Sequence, residues 1–231
     1  MIPIKDNIPT DRFPAVTFAL IVANVVAYVV AAAHGGSLIS GPDGHELARY
    51  GAVPHTLASG HRPDTIVTSM FLHASIVQLL VNLGFLWIFG NNVEDSMGAS
   101  RFLAFYVAGG LVTLAVAVAV GPSSTAPIVG TAGAISAVMG GYLVLYRRAR
   151  TLTLVLIPLF FTVIEVPTVV MLAVWFAVQV AFAATGLIDP VTSGGVAPYV
   201  SHLAGFALGL AMVRPLATRR KPTPPTAAVY R

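Results

Sequence analysis

The feature that most constrains this chain is a series of long stretches without any charged residue. A helix needs about 20 predominantly apolar residues to cross the hydrocarbon core of a bilayer. Only 10% of the residues are charged, whereas soluble domains carry about 25%. A water-soluble domain is therefore excluded, and the sequence predicts a polytopic membrane protein. The uncharged stretches cover residues 13–42, 65–93, 102–146, 151–164, 166–188 and 190–213.

Six helices are expected to cross the membrane. The stretch 102–146 is long enough for two spans, which the polar run 121–127 separates. The segment 151–164 is too short to cross and contains Pro158, so we expect an interfacial approach to the fifth span. The predicted spans cover about residues 14–33, 71–89, 102–120, 130–146, 167–187 and 196–216.

The basic residues predict the orientation of these spans. Of the 13 Lys and Arg residues, only Arg49 and Arg62 fall on the side opposite the two termini. Cytoplasmic loops carry the excess of basic residues, so both termini should be cytoplasmic. A seventh span at 151–164 would place the C-terminal basic residues on the other side, which argues against it. Anionic lipid headgroups, rather than nucleic acid, are the expected partner of these juxtamembrane charges.

The two ends of the chain are expected to lie outside the membrane. Residues 1–13 should form a cytoplasmic N-terminus, and residues 217–231, with a KPTPP run, a disordered cytoplasmic tail. Ala31, Ala32 and Ala33 resemble a signal-peptide cleavage site. The apolar run before them exceeds the usual 7–15 residues, so cleavage is the less favoured alternative.

Polar residues inside the predicted spans are the candidates for function, because such residues are costly in a bilayer. Each also has a purely structural explanation. Glycines four apart are more often helix-packing positions, and amide side chains are more often partners in interhelical hydrogen bonds. A histidine deep in an apolar helix is harder to explain that way, because burial favours the neutral imidazole, which can act as a base. The candidates are His73, Gln78 and Asn82 in the second span, Gly130, Thr131, Gly133 and Ser136 in the fourth, and Ser201, His202, Gly205 and Gly209 in the sixth.

Three runs together resemble the rhomboid intramembrane serine proteases. Thr68–Gly98 is similar to the second span of that family and the loop after it, and Gly130–Gly140 to the Gly-x-Ser-Gly element opening the fourth span. Ser201–Gly209 is similar to the sixth-span His-x-x-Gly-x-x-x-Gly element. The resemblance implies an all-α membrane protein with the six-transmembrane-helix rhomboid fold, here over residues 14–216.

The resemblance also implies roles for individual residues. Rhomboids use a serine–histidine dyad, with oxyanion donors from the start of the fourth helix and from the second span. Glu94 and Gly98 match the Glu and Gly that follow the second span in the family. The implied site residues are His202 as general base, Asn82 as oxyanion donor, His73 near the mouth of the second span, Gln78 beside them, Gly130 and Gly133 around the start of the fourth helix, and Gly205 and Gly209 in the helix contact.

The chain departs from the family pattern at the nucleophile. Ala132 occupies the serine position, and a methyl group cannot be deprotonated or acylated. Ser136 lies one turn further on, about 6 Å along the axis, too far from the oxyanion donors to replace it. Gln78 stands where the family usually has histidine, although glutamine can still donate a hydrogen bond. The Trp-Arg pair of many rhomboid first loops is also absent, with Asp64 and Thr65 near that place.

Three functions remain open at this stage. The first is an active intramembrane endopeptidase whose serine was replaced by alanine by design; the second is a natural pseudoprotease that binds client transmembrane helices without cleavage. The third, a channel or transporter, is disfavoured because Glu165 is the single carboxylate at possible membrane depth and no inverted repeat is apparent. Under either of the first two functions the chain should be proteolytically inert.

The expected surroundings follow from the same argument. The partners should be the lipid bilayer and transmembrane segments of substrates or clients, with no nucleic acid and no cofactor. The plasma (inner) membrane of a bacterium is the expected location. No metal is expected, because the polar residues of the first loop fit no zinc-ligand spacing. Those residues are His34, His45, His55 and His61 with Asp43, Glu46 and Asp64.

Overall fold

A computed structural model describes residues 2–157, 160–188 and 196–219. Helices dominate this part of the chain, and short strands occur at the N-terminus, in the first loop and between the fourth and fifth predicted spans. The strands are β1 Ile2–Asp6, β2 Gly36–Ser37, β3 Gly41–Pro42, β4 Arg150–Ile157 and β5 Phe160–Pro167. The helices are α1 Ala15–His34, α2 Gly44–Tyr50, α3 Pro54–Ala58, α4 Thr65–Thr68, α5 Ile76–Phe85, the π-helix Leu86–Gly90, α6 Asn91–Met97, α7 Ala99–Val120, α8 Ala132–Leu145, α9 Thr168–Ile188 and α10 Ala197–Leu216.

Four helices in the described part of the chain are long and apolar enough to cross a membrane. They are Ala15–His34, Ile76–Met97, Ala99–Val120 and Thr168–Thr185. The predicted count of six is not confirmed on this criterion: α8 has only 14 residues, and the first turns of α10 carry polar side chains that lower its mean hydropathy. α8 is apolar but short, and both helices pack on each other inside the bundle.

The contact between α8 and α10 is made by glycines on both helices. A methyl group added at Gly205 would lie 2.6 Å from the Gly133 carbonyl oxygen, and one at Gly209 would collide with the Ala137 carbonyl. On the opposite side of the contact, a methyl group at Gly140 would collide with the carbonyl of Phe206. Small residues allow two backbones in a membrane to approach this closely, so this pair forms the centre of the fold.

The second of these four helices, Ile76–Met97, is called the second apolar helix. It begins later and ends later than the predicted span 71–89. Ser75 caps it, its hydroxyl accepting the Gln78 N–H at 3.2 Å, so His73 precedes the helix. At the other end the helix continues through the π-helix Leu86–Gly90 into α6. Glu94 and Asp95 of α6 are buried in the protein. Gly98, with φ +83°, then separates α6 from α7.

The segment expected to be an interfacial approach, 151–164, is a β-hairpin. β4 pairs antiparallel with β5, and β1 from the N-terminus adds a third strand on the other edge of β4. The Thr-Leu alternation from Thr151 to Leu154 has the period of a strand; Thr151 and Thr153 are fully buried. Arg150 and Glu165 form a salt bridge of 2.8 Å across the hairpin. That partner gives Glu165 a structural explanation, which weakens the case for a channel or transporter.

Glu94 joins the end of the second apolar helix to the start of α1. Its carboxylate accepts the backbone N–H groups of Val16 at 2.9 Å and Thr17 at 2.7 Å, and the Thr17 hydroxyl at 2.8 Å. The first N–H groups of a helix have no partner within the helix, and a carboxylate there also complements the helix dipole. Glu94 therefore fixes where α1 begins relative to the bundle.

The N-terminal segment is structured rather than a free end. Asp6, at the end of β1, is buried, and its Oδ2 accepts hydrogen bonds from Asn92 at 2.8 Å and from the Tyr142 hydroxyl at 2.5 Å. Burial raises the pKa of Asp6 from 3.8 to about 6. The expected disordered tail, 217–231, lies outside the described residues from residue 220 onward.

Candidate functional site

A cavity of about 350 Å³ lies where the start of α8 meets the start of α10. Seven of the residues singled out in the sequence line it: Gln78, Gly130, Thr131, Ala132, Gly133, Ser201 and His202. The walls are completed by α7 and by the loops before α8 and after α4. The other lining residues include Ser69, Met70, Thr113, Ala126 and Pro198.

Ala132 is the first residue of α8 and presents its methyl group to this cavity. The N–H groups of a helix's first turn point away from the helix and attract negative charge. A backbone site for an oxyanion is therefore available at this position, next to a side chain that cannot form the covalent bond. The start of α8 thus offers backbone hydrogen-bond donors, whereas Ala132 offers no nucleophile.

Ser136 is not available as a replacement nucleophile. It is fully buried one turn below Ala132, and its hydroxyl donates to the Ala132 carbonyl at 2.6 Å. Among the described residues it is not part of the cavity wall. A serine that bonds to the carbonyl four residues earlier satisfies itself within its own helix, so Ser136 has a structural role.

His202 reaches the cavity from the second turn of α10. Its Nδ1 lies 3.1 Å from the amide oxygen Oε1 of Gln179 on α9, and its ring lies 6.5 Å from that of Trp175. With Gln179 accepting, Nδ1 carries the proton and Nε2 is left as the basic nitrogen, an assignment made from the hydrogen bond. Sequence reasoning missed Gln179, although the same rule (a polar side chain inside an apolar span) would have found it.

Gln78 supports the loop that enters α8. Its Oε1 accepts the backbone N–H of Ala74 at 2.8 Å, and its Nε2 donates to the carbonyl of Val129 at 3.3 Å. One end of the amide thus holds the chain before α5, and the other holds the chain before α8. The side chain therefore acts as a structural bridge between the chain before α5 and the loop before α8.

His73 and Asn82 pair with each other beside the site. His73 is fully buried, and its Nδ1 lies 3.2 Å from the Phe71 carbonyl, so that nitrogen carries the proton. Its Nε2 then accepts a hydrogen bond from the Asn82 amide at 3.0 Å. Neither residue is among the described residues of the cavity wall. His73 therefore orients Asn82, whose second N–H is left for another acceptor.

Gly130 allows the loop to pass close to both amides. Its φ of +106° lies in the region that favours glycine, and a methyl group added there would lie 2.9 Å from Gln78 Nε2 and 3.5 Å from Asn82 Nδ2. At Gly133, an added methyl group would collide with Thr113 on α7. These glycines bring the loop, the second apolar helix and α7 together around the first residue of α8.

Comparison with known proteins identifies the family. A sequence model of the Rhomboid domain matches residues 61–219, which is more than half of the chain. The chain is 30% identical over 103 residues to "Presenilin-associated rhomboid-like protein A, mitochondrial" of Danio rerio. It is 28% identical over 130 residues to "Rhomboid protease GluP" of Bacillus subtilis, and 29% identical over 150 residues to "Rhomboid protein 1, mitochondrial" of Saccharomyces cerevisiae.

The matched segments cover only part of each relative. They amount to 44%, 56% and 63% of this chain, but to 27%, 24% and 40% of the zebrafish, Bacillus and yeast proteins. Two of these relatives are named as mitochondrial and one is bacterial. The relatives therefore support an integral membrane protein without identifying which membrane holds it.

Proposed function

The chain belongs to the rhomboid family, and we propose that it binds transmembrane segments of other membrane proteins without cleaving them. The observation that carries this proposal is that Ala132 lines a cavity together with His202, Gly130 and Gly133. Removing the nucleophile of a serine protease lowers kcat by about 10⁶-fold. What remains of the family's function is recognition of the substrate helix.

The surroundings of Ala132 favour a natural pseudoprotease over an active enzyme with one replaced residue. A replacement by design would leave the rest of an active site unchanged. Here Gln78 also differs from the family, and both ends of its amide are bonded to backbone at Ala74 and Val129. The site thus departs from the family pattern at two residues, and one of them, Gln78, is hydrogen-bonded to the loop before α8. This supports a site that has lost its catalytic function.

The proposed binding place for an unwound part of a transmembrane segment is this cavity. Backbone N–H groups at the start of α8 and the polar groups of Gln78 and His202 can pair with exposed peptide groups of a bound segment. Unpaired peptide groups are expensive in a bilayer, so a helix that partly unwinds would gain from such partners. The proposed topology is the six-span arrangement with both termini cytoplasmic, in which α8 and α10 are the inner spans. The bacterial plasma membrane stays a prediction.

Photocrosslinking tests the binding site. A benzophenone amino acid at Ala126, which is exposed and lines the cavity, should crosslink a single-span helix when both proteins share vesicles. The matched control is the same probe at Ala115, which is exposed on α7 and outside the cavity wall. Equal crosslinking from both positions would show that the helix contacts the bundle without using the cavity.

A further inference from the structure

A second cavity, of about 450 Å³, lies between α1 and the segments around α2 and α4. It shares no described lining residue with the first cavity. Most of its wall is apolar, and its polar side chains are few. The lining residues are Ala23, Ala27, Val30, Ala31, His34, Glu46, Tyr50, Val67, Thr68, Phe71 and Leu72.

The cavity follows α1 from Ala23 to its last residue, His34. At 1.5 Å per residue this part of the helix rises about 17 Å. The hydrocarbon of one leaflet is about 15 Å deep, half of the full thickness. The cavity is therefore an apolar slot of one leaflet's depth, open along the helix that ends at the membrane surface on the His34 side.

A carboxylate lies at the surface end of this slot. Glu46 of α2 is only 7% exposed and lines the cavity. Among the described residues, the one basic side chain within 4 Å of its carboxylate is His45, whose Nδ1 lies 3.6 Å away on a side chain that is 78% exposed. The Asp43 carboxylate, which binds the Glu46 backbone N–H, adds negative charge at the same end of the slot. A nearly buried carboxylate gains most from a cation that also donates hydrogen bonds.

The polar groups around Glu46 are otherwise occupied. The Asp43 carboxylate accepts the Glu46 backbone N–H at 2.9 Å and caps α2. The Thr68 hydroxyl donates to the Tyr50 carbonyl at 2.7 Å, and the His34 ring lies 2.7 Å from the Val30 carbonyl. The described neighbours thus leave the Glu46 carboxylate as the acceptor facing an incoming group.

We propose that this cavity binds one phospholipid with a primary-amine headgroup, such as phosphatidylethanolamine. One acyl chain lies in the slot between α1 and the Phe71–Leu72 wall, and the ammonium group binds Glu46. Phosphatidylglycerol would fit the same slot with the same phosphate but without the ammonium, so it would bring only negative charge to the carboxylate. This site is distinct from the proposed helix-binding cavity, although residues 67–72 contribute to both walls.

Lipid retention after delipidation tests the proposal. The full-length protein is delipidated in detergent and titrated with dioleoyl-phosphatidylethanolamine or dioleoyl-phosphatidylglycerol, and bound lipid is counted by native mass spectrometry. One ethanolamine lipid should be retained about tenfold more tightly than the glycerol lipid, the size expected of one charge-assisted hydrogen bond. Equal retention of the two lipids would overturn the headgroup assignment.

Two variants locate the site. Glu46→Gln should abolish the preference between the headgroups, whereas Asp64→Asn, an exposed first-loop carboxylate outside the wall, should preserve it.

Ala27→Phe should fill the slot and reduce retention of both lipids, whereas Ala19→Phe, at an exposed position of α1 outside the wall, should not. Circular dichroism and melting temperatures establish that each variant is folded. A preference that survives Glu46→Gln, or retention that survives Ala27→Phe in folded protein, would contradict the proposal.

Discussion

The side-chain amide of Gln78 donates from Nε2 to the backbone carbonyl of Val129 at a distance of 3.3 Å. This bond joins the helix that begins at Ile76 to the loop that delivers Ala132 to the start of α8. At position 78, where the family resemblance implies a histidine, one of the two amide N–H groups of glutamine therefore binds the loop. Ala132 and Gln78 are thus two changes in one local structure.

Restoring the nucleophile tests whether this local structure still supports catalysis. Ala132→Ser should place a hydroxyl at the helix start near His202, and we expect little or no cleavage of a model transmembrane substrate by this variant alone. Ala132→Ser with Gln78→His should cleave faster, because losing one oxyanion donor costs about 10²–10³-fold in kcat. Substrate fragments on gels give the rates, and His202→Ala in the double variant is the control that must abolish them.

The opposite result would show that Ala132 replaces the serine of an otherwise active enzyme. Efficient cleavage by Ala132→Ser alone would show that Gln78 is compatible with catalysis. The chain would then be an active endopeptidase that lacks only its serine.

The glycines between α8 and α10 should be intolerant of any side chain. Gly205→Ala would place a methyl group 2.6 Å from the Gly133 carbonyl oxygen and from Thr113 Cγ2. Overpacking of this kind costs about 1–3 kcal/mol, so the melting temperature in detergent should fall. Gly84→Ala is the matched control, because a methyl group at that helical position meets nothing within 4 Å. Equal melting temperatures for the two variants would show that α10 packs elsewhere.

Glu94 should be a major contributor to stability despite being remote from the cavity. Glu94→Gln removes the charge that accepts three hydrogen bonds from Val16 and Thr17. We expect a loss of about 1–3 kcal/mol in the free energy of unfolding. Asp64→Asn serves as the comparison: its salt bridge with Arg62 is about half exposed, and exposed pairs contribute about 0–1 kcal/mol. A Glu94 variant as stable as the Asp64 variant would contradict this role.

The buried carboxyl of Asp6 predicts a pH dependence of stability. Burial raises its pKa from 3.8 to about 6, so between these values the folded protein binds more protons than the unfolded chain. Stability contributed by this group is therefore fully present below about pH 4 and falls as pH rises to about 6, by about 3 kcal/mol in total. Subtracting the unfolding free energy of Asp6→Asn from that of the unmodified protein at each pH isolates this contribution. Unfolding free energies that change with pH in parallel in the two proteins would contradict the assignment.

The membrane class and the family follow from local patterns in the sequence. Uncharged stretches such as 102–146 identify a membrane protein whichever helices they pack against. The motif around Gly130 and Ala132 has a fixed spacing, which identifies the family. The sequence does not predict the hairpin from Arg150 to Pro167, although its Thr-Leu alternation has the period of a strand. A segment too short to cross the membrane predicts an interfacial approach, whereas the pairing of β4 with β5 makes it a hairpin.

Contacts between distant parts of the chain could not be predicted from one sequence. Glu94 and Thr17 are 77 residues apart, and Asp6 and Tyr142 are 136 apart. Nothing local indicates that either pair meets. The hydrogen bond between Gln179 and His202 is of the same kind, since the register of α9 against α10 decides which polar side chain faces the imidazole. The sequence-based roles of His73, Asn82 and His202 stay predictions until activity is measured.

Binding without cleavage is tested most directly in one reconstituted system. The unmodified protein, labelled near Ala126, and an acceptor-labelled single-span helix are placed together in vesicles, and energy transfer and fragments on gels are recorded from the same sample. We expect saturable energy transfer, competed by unlabelled helix, with the bound helix intact. Release of a cleaved fragment by the Ala132 protein, lost in Ser136→Ala or His202→Ala, would contradict the account, as would the absence of saturable binding.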